Sequence, residues 1–298
     1  MAQDLEQLSR RSRTLGSIRG IVRTMKTMAA INATPYEQAA IAIEAYHATI
    51  RRGFMAFAYR MEGQQALLEA EPVQQRVLVA FGSDHGFCGN YNELVARLVS
   101  LQCEGSAGDR RRRSVLCVGA RLETALREHG IEPDRVLTPP ASVDGIGRLS
   151  GELVTRIVRA GRGGPLSELA VTLVYTQRAE HGSRAPVALT LLPLAPELLQ
   201  APRRWPSRSL PDFAIAPAAL LAALVRNHIF ASVFRAAAEA IVTENAARLA
   251  LMQQAEQSVD DRLDAVRREM SGVRQDEITN ELMDIVIGHL QEPTRGYG

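Results

Sequence analysis

The strongest constraint on this chain lies near its C-terminal end, in the run from Asn245 to Leu290. Leu249, Met252, Glu256, Val259, Leu263, Val266, Met270 and Val273 follow one another there at alternating spacings of three and four. That is the a/d pattern of a heptad seam, with Glu256 as its polar member. The charges Asp260, Asp261, Arg262, Arg267, Arg268 and Glu269 fall mostly off the seam. A stripe this narrow, sustained over about three heptads, predicts a long helix packed on one partner helix. The plainer reading is an amphipathic helix on a globular core.

The N-terminal end offers the partner. Leu15, Ile18, Val22, Met25, Ala29 and Asn32 keep the same three/four spacing. If the two ends pair, everything between them is an insertion. The first helix is expected over about 3–31, weakened by Gly16 and Gly20 at about 1 kcal/mol each relative to alanine. Thr34-Pro35 is expected to kink or interrupt it, and a second helical stretch follows to about Ala70.

The middle changes character at Glu71-Pro72. Short apolar runs at 76–81, 114–119, 136–137, 169–176 and 187–192 read as strands. Helical stretches at 93–101, 121–129 and 145–160 alternate with the first of these. That alternation predicts a small, mostly parallel α/β sheet. A proline-rich segment runs from Pro193 to Pro217, and helix resumes at about Ala218, with or without a break, to Leu290. The expected fold is thus α/β: an antiparallel coiled coil of the terminal helices with an inserted Rossmann-like domain. Its parts are 1–70 and 218–298 as the helical shaft and 71–217 as the globular domain.

Among the 298 residues, 46% are hydrophobic, enough for a core, and a net charge of +2 does not suggest nucleic acid. Three unevenly spaced cysteines, Cys88, Cys103 and Cys117, argue against a disulfide framework or zinc pairs. No apolar run approaches the roughly 20 residues of a bilayer span, and the acidic start MAQDLEQLSRR is not a secretory signal. Lys26 is the only lysine; arginine carries the rest of the positive charge.

The loop Gly82-Ser83-Asp84-His85-Gly86-Phe87-Cys88-Gly89-Asn90 sits where α/β folds bind phosphates, after a strand and before a helix. Its spacing fits neither common glycine fingerprint. Turn glycines that need φ > 0 explain it as well. Asp84, His85 and Cys88 suggest a catalytic cluster, but stand too close in sequence to converge on one atom. Arg110 to Arg113 would suit phosphate groups, or a solvated loop. Arg274-Gln275 interrupts the C-terminal seam, either as a solvated pair or as a polar contact to another subunit.

Three of these stretches together resemble one family, the gamma subunit of F-type rotary ATP synthases. IRGIVRTMKTMAAI (18–31) resembles its N-terminal signature, SDHGFCGNYN (83–92) its Ser/Thr-Asp-Arg-Gly-Leu-Cys-Gly-Gly-x-Asn, and RQDEITNELMDIVIG (274–288) its C-terminal signature. The resemblance covers the whole chain. It implies a coiled-coil shaft turning inside a hexamer of alpha and beta subunits, with the globular end on the epsilon subunit and the membrane c-ring. It implies no catalytic residue, no cofactor, no metal, no nucleic acid and no direct bilayer insertion. The place implied is peripheral, on the cytoplasmic side of a bacterial or archaeal cell membrane. Arg23, Met25, Lys26, Arg274 and Gln275 fall on the motif positions that the resemblance assigns to hexamer contacts. His85, Asn90, Asn32 to Pro35, Asp276-Glu277 and Ala216 depart from the family pattern. These departures point toward a divergent, N-type, sodium-translocating form, with proton or sodium left open because the ring selects the ion. The competing reading is a soluble α/β enzyme that binds a phosphate or nucleotide at Gly82–Gly89.

Overall fold

The computed structural model describes residues 2–61, 73–104, 113–161, 168–178, 183–200, 205, 207–209 and 212–290. Residues 62–70 of the expected second helical stretch, and Arg110 to Arg112, lie outside these. Two very long helices bracket the chain: α1, Ala2–Arg60, and α5, Pro217–Leu290. Between them come β1 (Gln75–Phe81), α2 (Tyr91–Glu104), β2 (Arg113–Val118), α3 (Ala120–Glu128), β3 (Arg135–Leu137), α4 (Val143–Ala160), β4 (Leu169–Arg178) and β5 (Arg184–Leu192).

The strands form one five-stranded sheet in the order β3-β2-β1-β4-β5. The first four are mutually parallel and β5 closes the edge antiparallel to β4. Strand alternation sorts the side chains into two cores. Val77, Val79 and Phe81 of β1 meet Leu116, Val118, Val171 and Leu173 on one face, with α4 and parts of α1 and α5. Leu78 and Ala80 point the other way, onto Val95 and Val99 of α2 and Leu122 and Leu126 of α3. A parallel sheet needs such cover on both faces, which is why its strands read as unbroken apolar runs.

The chain divides into two compact units, one of Met1–Met28 with Leu249–Gly298 and one of Ala29–Arg248. The shaft expected over 1–70 and 218–298 is therefore shorter. Residues 29–60 and 217–248 belong with the sheet, because Tyr36, Ile50, Phe54, Val225, Ile229 and Val233 are buried in its core. Within that second unit, Gly53 brings the α1 backbone close to Leu224, whose Cδ2 lies 2.8 Å from where a Cβ would stand.

The interruption expected at Pro35 does not occur: α1 is continuous through it. An interior proline removes one helical hydrogen bond and costs about 3 kcal/mol. Burial immediately downstream offsets this: Tyr36, Ala39 and Ala40 join the core, and the Tyr36 hydroxyl donates to Pro140 O at 3.1 Å. Helix α5 is also unbroken. It holds a stretch apolar enough, by length and composition, to cross a membrane, contrary to the expectation that no such run exists. Val225, Ile229, Val233 and Ala236 of the same helix are packed in the core.

Candidate partner-binding surface

In the first unit the two chain ends run antiparallel, as their ion pairs record. Arg19 Nε lies 2.6 Å from Asp260 Oδ1, and Arg23 Nε lies 2.7 Å from Glu256 Oε1. Lys26 Nζ binds the other Glu256 oxygen. As the number rises on one helix it falls on the other. The hydrogen bonds from Lys26 and Arg23 hold the Glu256 carboxyl below its ordinary range.

The buried stripe of α5 is Met252, Val259, Leu263 and Val266, with Leu249, Met270 and Val273 half-buried. On α1 it is Leu8 and Val22, flanked by half-buried Leu15, Arg19, Met25 and Lys26. Ile18, expected in the seam, is instead 40% exposed. The stripe steps from Leu15 to Arg19 to Val22 to Lys26, so Arg19 takes the position expected for Ile18, and Lys26 shares that expected for Met25. Both steps, 15-18-22 and 15-19-22, satisfy a heptad, and hydrophobicity favoured the wrong one. The carboxylates of Glu256 and Asp260 decide for the cations.

This phase turns Ile18, Ile21 and Met28 outward, all exposed, with half-buried Met25 between them. Arg23 and Lys26, expected to face other subunits, are committed within the chain to Glu256, although 53% of the Arg23 side chain remains exposed. Arg274 and Gln275 are exposed on α5. They lie 18 residues past Glu256, about 27 Å of helix away. The structure thus does not gather the five candidate residues into one patch. Beyond them Ile278, Leu282, Met283, Ile285, Val286 and Ile287 are all exposed. The sequence reading missed the Arg19–Asp260 pair and this apolar end. The i+7 recurrence of Arg19 and Lys26 was the available signal for the pair.

The glycine loop of the second unit is occupied by its own chain. Asn92 Oδ1 accepts from Ser83 N at 2.9 Å, and Asp84 Oδ1 accepts from Ala120 N at 2.8 Å. The N-terminus of α3, where an anion would be welcome, therefore already holds the Asp84 carboxylate. Cys88 Sγ lies 3.5 Å from Ser83 Oγ and its nearest histidine contact is to His85 O, a backbone group. Arg248 donates from behind to Gly86 O at 3.4 Å and to Glu244 at 2.5 Å. Phe87, at φ 62, is left 61% exposed on this braced loop. The phosphate-cradle reading finds no support here.

A second polar feature joins α1 to α5 inside the same unit. His47 Nε2 lies 3.2 Å from His228 Nδ1, with Phe54 edge-on to His228 at 6.0 Å. Burial, with help from His47 and Arg51, pushes His228 down to about 4 from its ordinary 6.5. Above pH 6.5 folded and unfolded chains both hold a neutral ring. Between 6.5 and 4 only the unfolded chain takes up the proton, so stability falls as pH drops. The loss approaches about 3 kcal/mol only as pH falls below about 4, where the folded ring also takes up its proton. His228→Phe is expected to remove this part of the slope. Thermal midpoints at pH 7 and pH 5 check it, and parallel pH profiles for both proteins would refute it.

Two helical chain ends paired antiparallel, with a doubly covered α/β unit inserted between them, define a stalk-type protein. A family model described as ATP synthase matches residues 4–289. The ATP synthase gamma chain of Nitratidesulfovibrio vulgaris (strain Hildenborough) is 30% identical over 217 residues, 71% of each chain. That of Moorella thermoacetica is 27% identical over 286 residues, covering 95% of this chain and 97% of its own. Among solved structures, a chain of the Euglena gracilis mitochondrial ATP synthase rotor superposes with a TM-score of 0.61 at 14% identity, over 93% of this chain and all of that one. The chain belongs to the ATP synthase gamma-chain family.

Proposed function

We propose that this chain is the central-stalk rotor subunit of an F-type ATP synthase, without an active site of its own. The observation that carries the reading is the antiparallel pairing of the two chain ends, in a chain matched by gamma-chain relatives along nearly its whole length. A stiff, off-axis helical pair turning inside an alpha/beta hexamer makes the catalytic sites differ in conformation. That couples ATP synthesis or hydrolysis to ion flow through a membrane c-ring, of protons or of sodium. The α/β unit stands on the ring beside the epsilon subunit, peripheral to the cytoplasmic face of the cell membrane and outside the bilayer.

Arg274, Gln275 and Met25 meet the hexamer in this reading, and Arg23 and Lys26, already paired to Glu256, offer it only their exposed sides. Each is a polar or flexible side chain on a helix surface, suited to contacts that form and break. Reconstitution of alpha and beta subunits with and without the chain tests the assignment. Assembly and ATPase activity should both depend on it; unchanged behaviour without the chain rejects it.

Met25→Lys is expected to disturb coupling more than assembly. It sets a third cation beside Arg23 and Lys26 and a strong charge-assisted donor at the edge of the pair. Ions pumped per ATP hydrolysed should fall by about half or more, and a ratio equal to wild type would count against the placement.

A further inference from the structure

We propose that the charges set into the helix pair, Glu256 and Asp260 facing Arg19, Arg23 and Lys26, are a register lock that admits one axial alignment of the two chain ends. Within the unit of Met1–Met28 and Leu249–Gly298, apolar burial alone does not choose an alignment. Met252, Val259, Val266 and Val273 recur every seven residues, as do Leu249, Glu256, Leu263 and Met270, apolar but for Glu256. Slid by one heptad, the stripe of one helix meets an equivalent stripe on the other. Such a pair is degenerate unless something polar marks the register.

The charges are not degenerate. In the observed alignment Arg19 meets Asp260, and Arg23 and Lys26 share the two oxygens of Glu256, whose side chain is 15% exposed. Slid one heptad in one direction, Arg19 faces Arg267, Arg23 faces Leu263, Lys26 takes Arg19's place at Asp260, and the less exposed carboxylate, Glu256, loses both its cations. Slid the other way, Arg23 and Lys26 meet Leu249, and only Arg19 finds a carboxylate, that of Glu256. Either slip strands half-buried charge without a partner, which costs far more than a surface ion pair contributes. Arg19 and Lys26 themselves occupy stripe positions on α1, with Glu256 on the stripe of α5. The lock therefore sits in the seam and not on its rim.

The test is cross-linking in the full chain, whose own three cysteines are buried. Leu15→Cys with Leu263→Cys reports the observed register. Leu15→Cys with Met270→Cys, and Leu8→Cys with Leu263→Cys, report a slip of one heptad in each direction. Disulfide yields are read in a thiol redox buffer. With the charges intact, the first pair should close and the other two should not. With Glu256→Gln and Asp260→Asn, slipped cross-links should rise about tenfold or more relative to the first. Exchanging the signs, with Arg19, Arg23 and Lys26 changed to Glu and Glu256 and Asp260 to Arg, should restore the observed register alone. Unchanged cross-link ratios in the neutralised chain overturn the proposal. So does loss of the helix pair without slipped products, or failure of the sign exchange to restore the register.

Discussion

Gly119→Val is expected to destabilise the α/β unit by about 4 kcal/mol or more, a large part of the about 5–15 kcal/mol that holds a domain folded. Gly119 follows β2 at φ 109, a conformation that a β-branched residue adopts only under strain. Its Cβ would stand 2.7 Å from Ser83 O and 2.8 Å from Ser83 C. Those are backbone atoms, and they cannot step aside. Gly82 N donates to Val118 O at 2.8 Å, Arg121 N to Ser83 O at 2.9 Å, and Gly119 N to Leu137 O at 2.9 Å. Three strands would have to shift together. Backbone strain contributes about 1–3 kcal/mol and overpacking a similar amount. Urea denaturation of the full chain measures the loss; a change under about 1 kcal/mol would show that the crossing of the two strand ends is looser than these contacts require.

Phe54→Ala should cost about 3–5 kcal/mol. Phe54 is fully buried on α1 in the core it shares with Ile229 and Val233 of α5 and with β1. Truncation leaves a cavity between two long helices, whose other contacts hold them from closing on it. The nearby Ile41→Ala is the control: Ile41 is 71% exposed, and its loss should stay within about 0.5 kcal/mol. Equal losses at the two positions would mean that α1 does not anchor the sheet unit through Phe54.

Much of the fold was legible because its signals are local. Every strand was a short apolar run, all but β4 ended by a nearby glycine or proline, and α2, α3 and α4 followed at the spacing of βα units. The pairing of the chain ends was legible from two seams of equal period. Three things were not. The phase of the α1 stripe at Ile18 against Arg19 depends on carboxylates far along the chain, on α5. The continuity of α1 through Pro35 depends on Tyr36, Ala39 and Ala40 finding a core that no local rule describes. The division into units depends on the same long-range burial, since a helix facing a sheet and a helix facing one partner read alike over short windows. As for the candidate surface, motif resemblance named single residues, but not that Arg23 and Lys26 are already engaged by Glu256.

The continuity of α1 across its proline has a mechanical side. Along its length α1 carries Gly16, Gly20, Pro35 and Gly53, whereas α5 past Pro217 is free of proline and has glycine only at Gly272 and Gly288. A missing main-chain hydrogen bond lowers the bending and twisting modulus of a helix at that turn, and glycine does so to a lesser degree. Rods that share a load divide it in proportion to stiffness. Of the two helices, α5 is therefore the beam, and α1 is the member that yields first, at a place marked by a single imino acid.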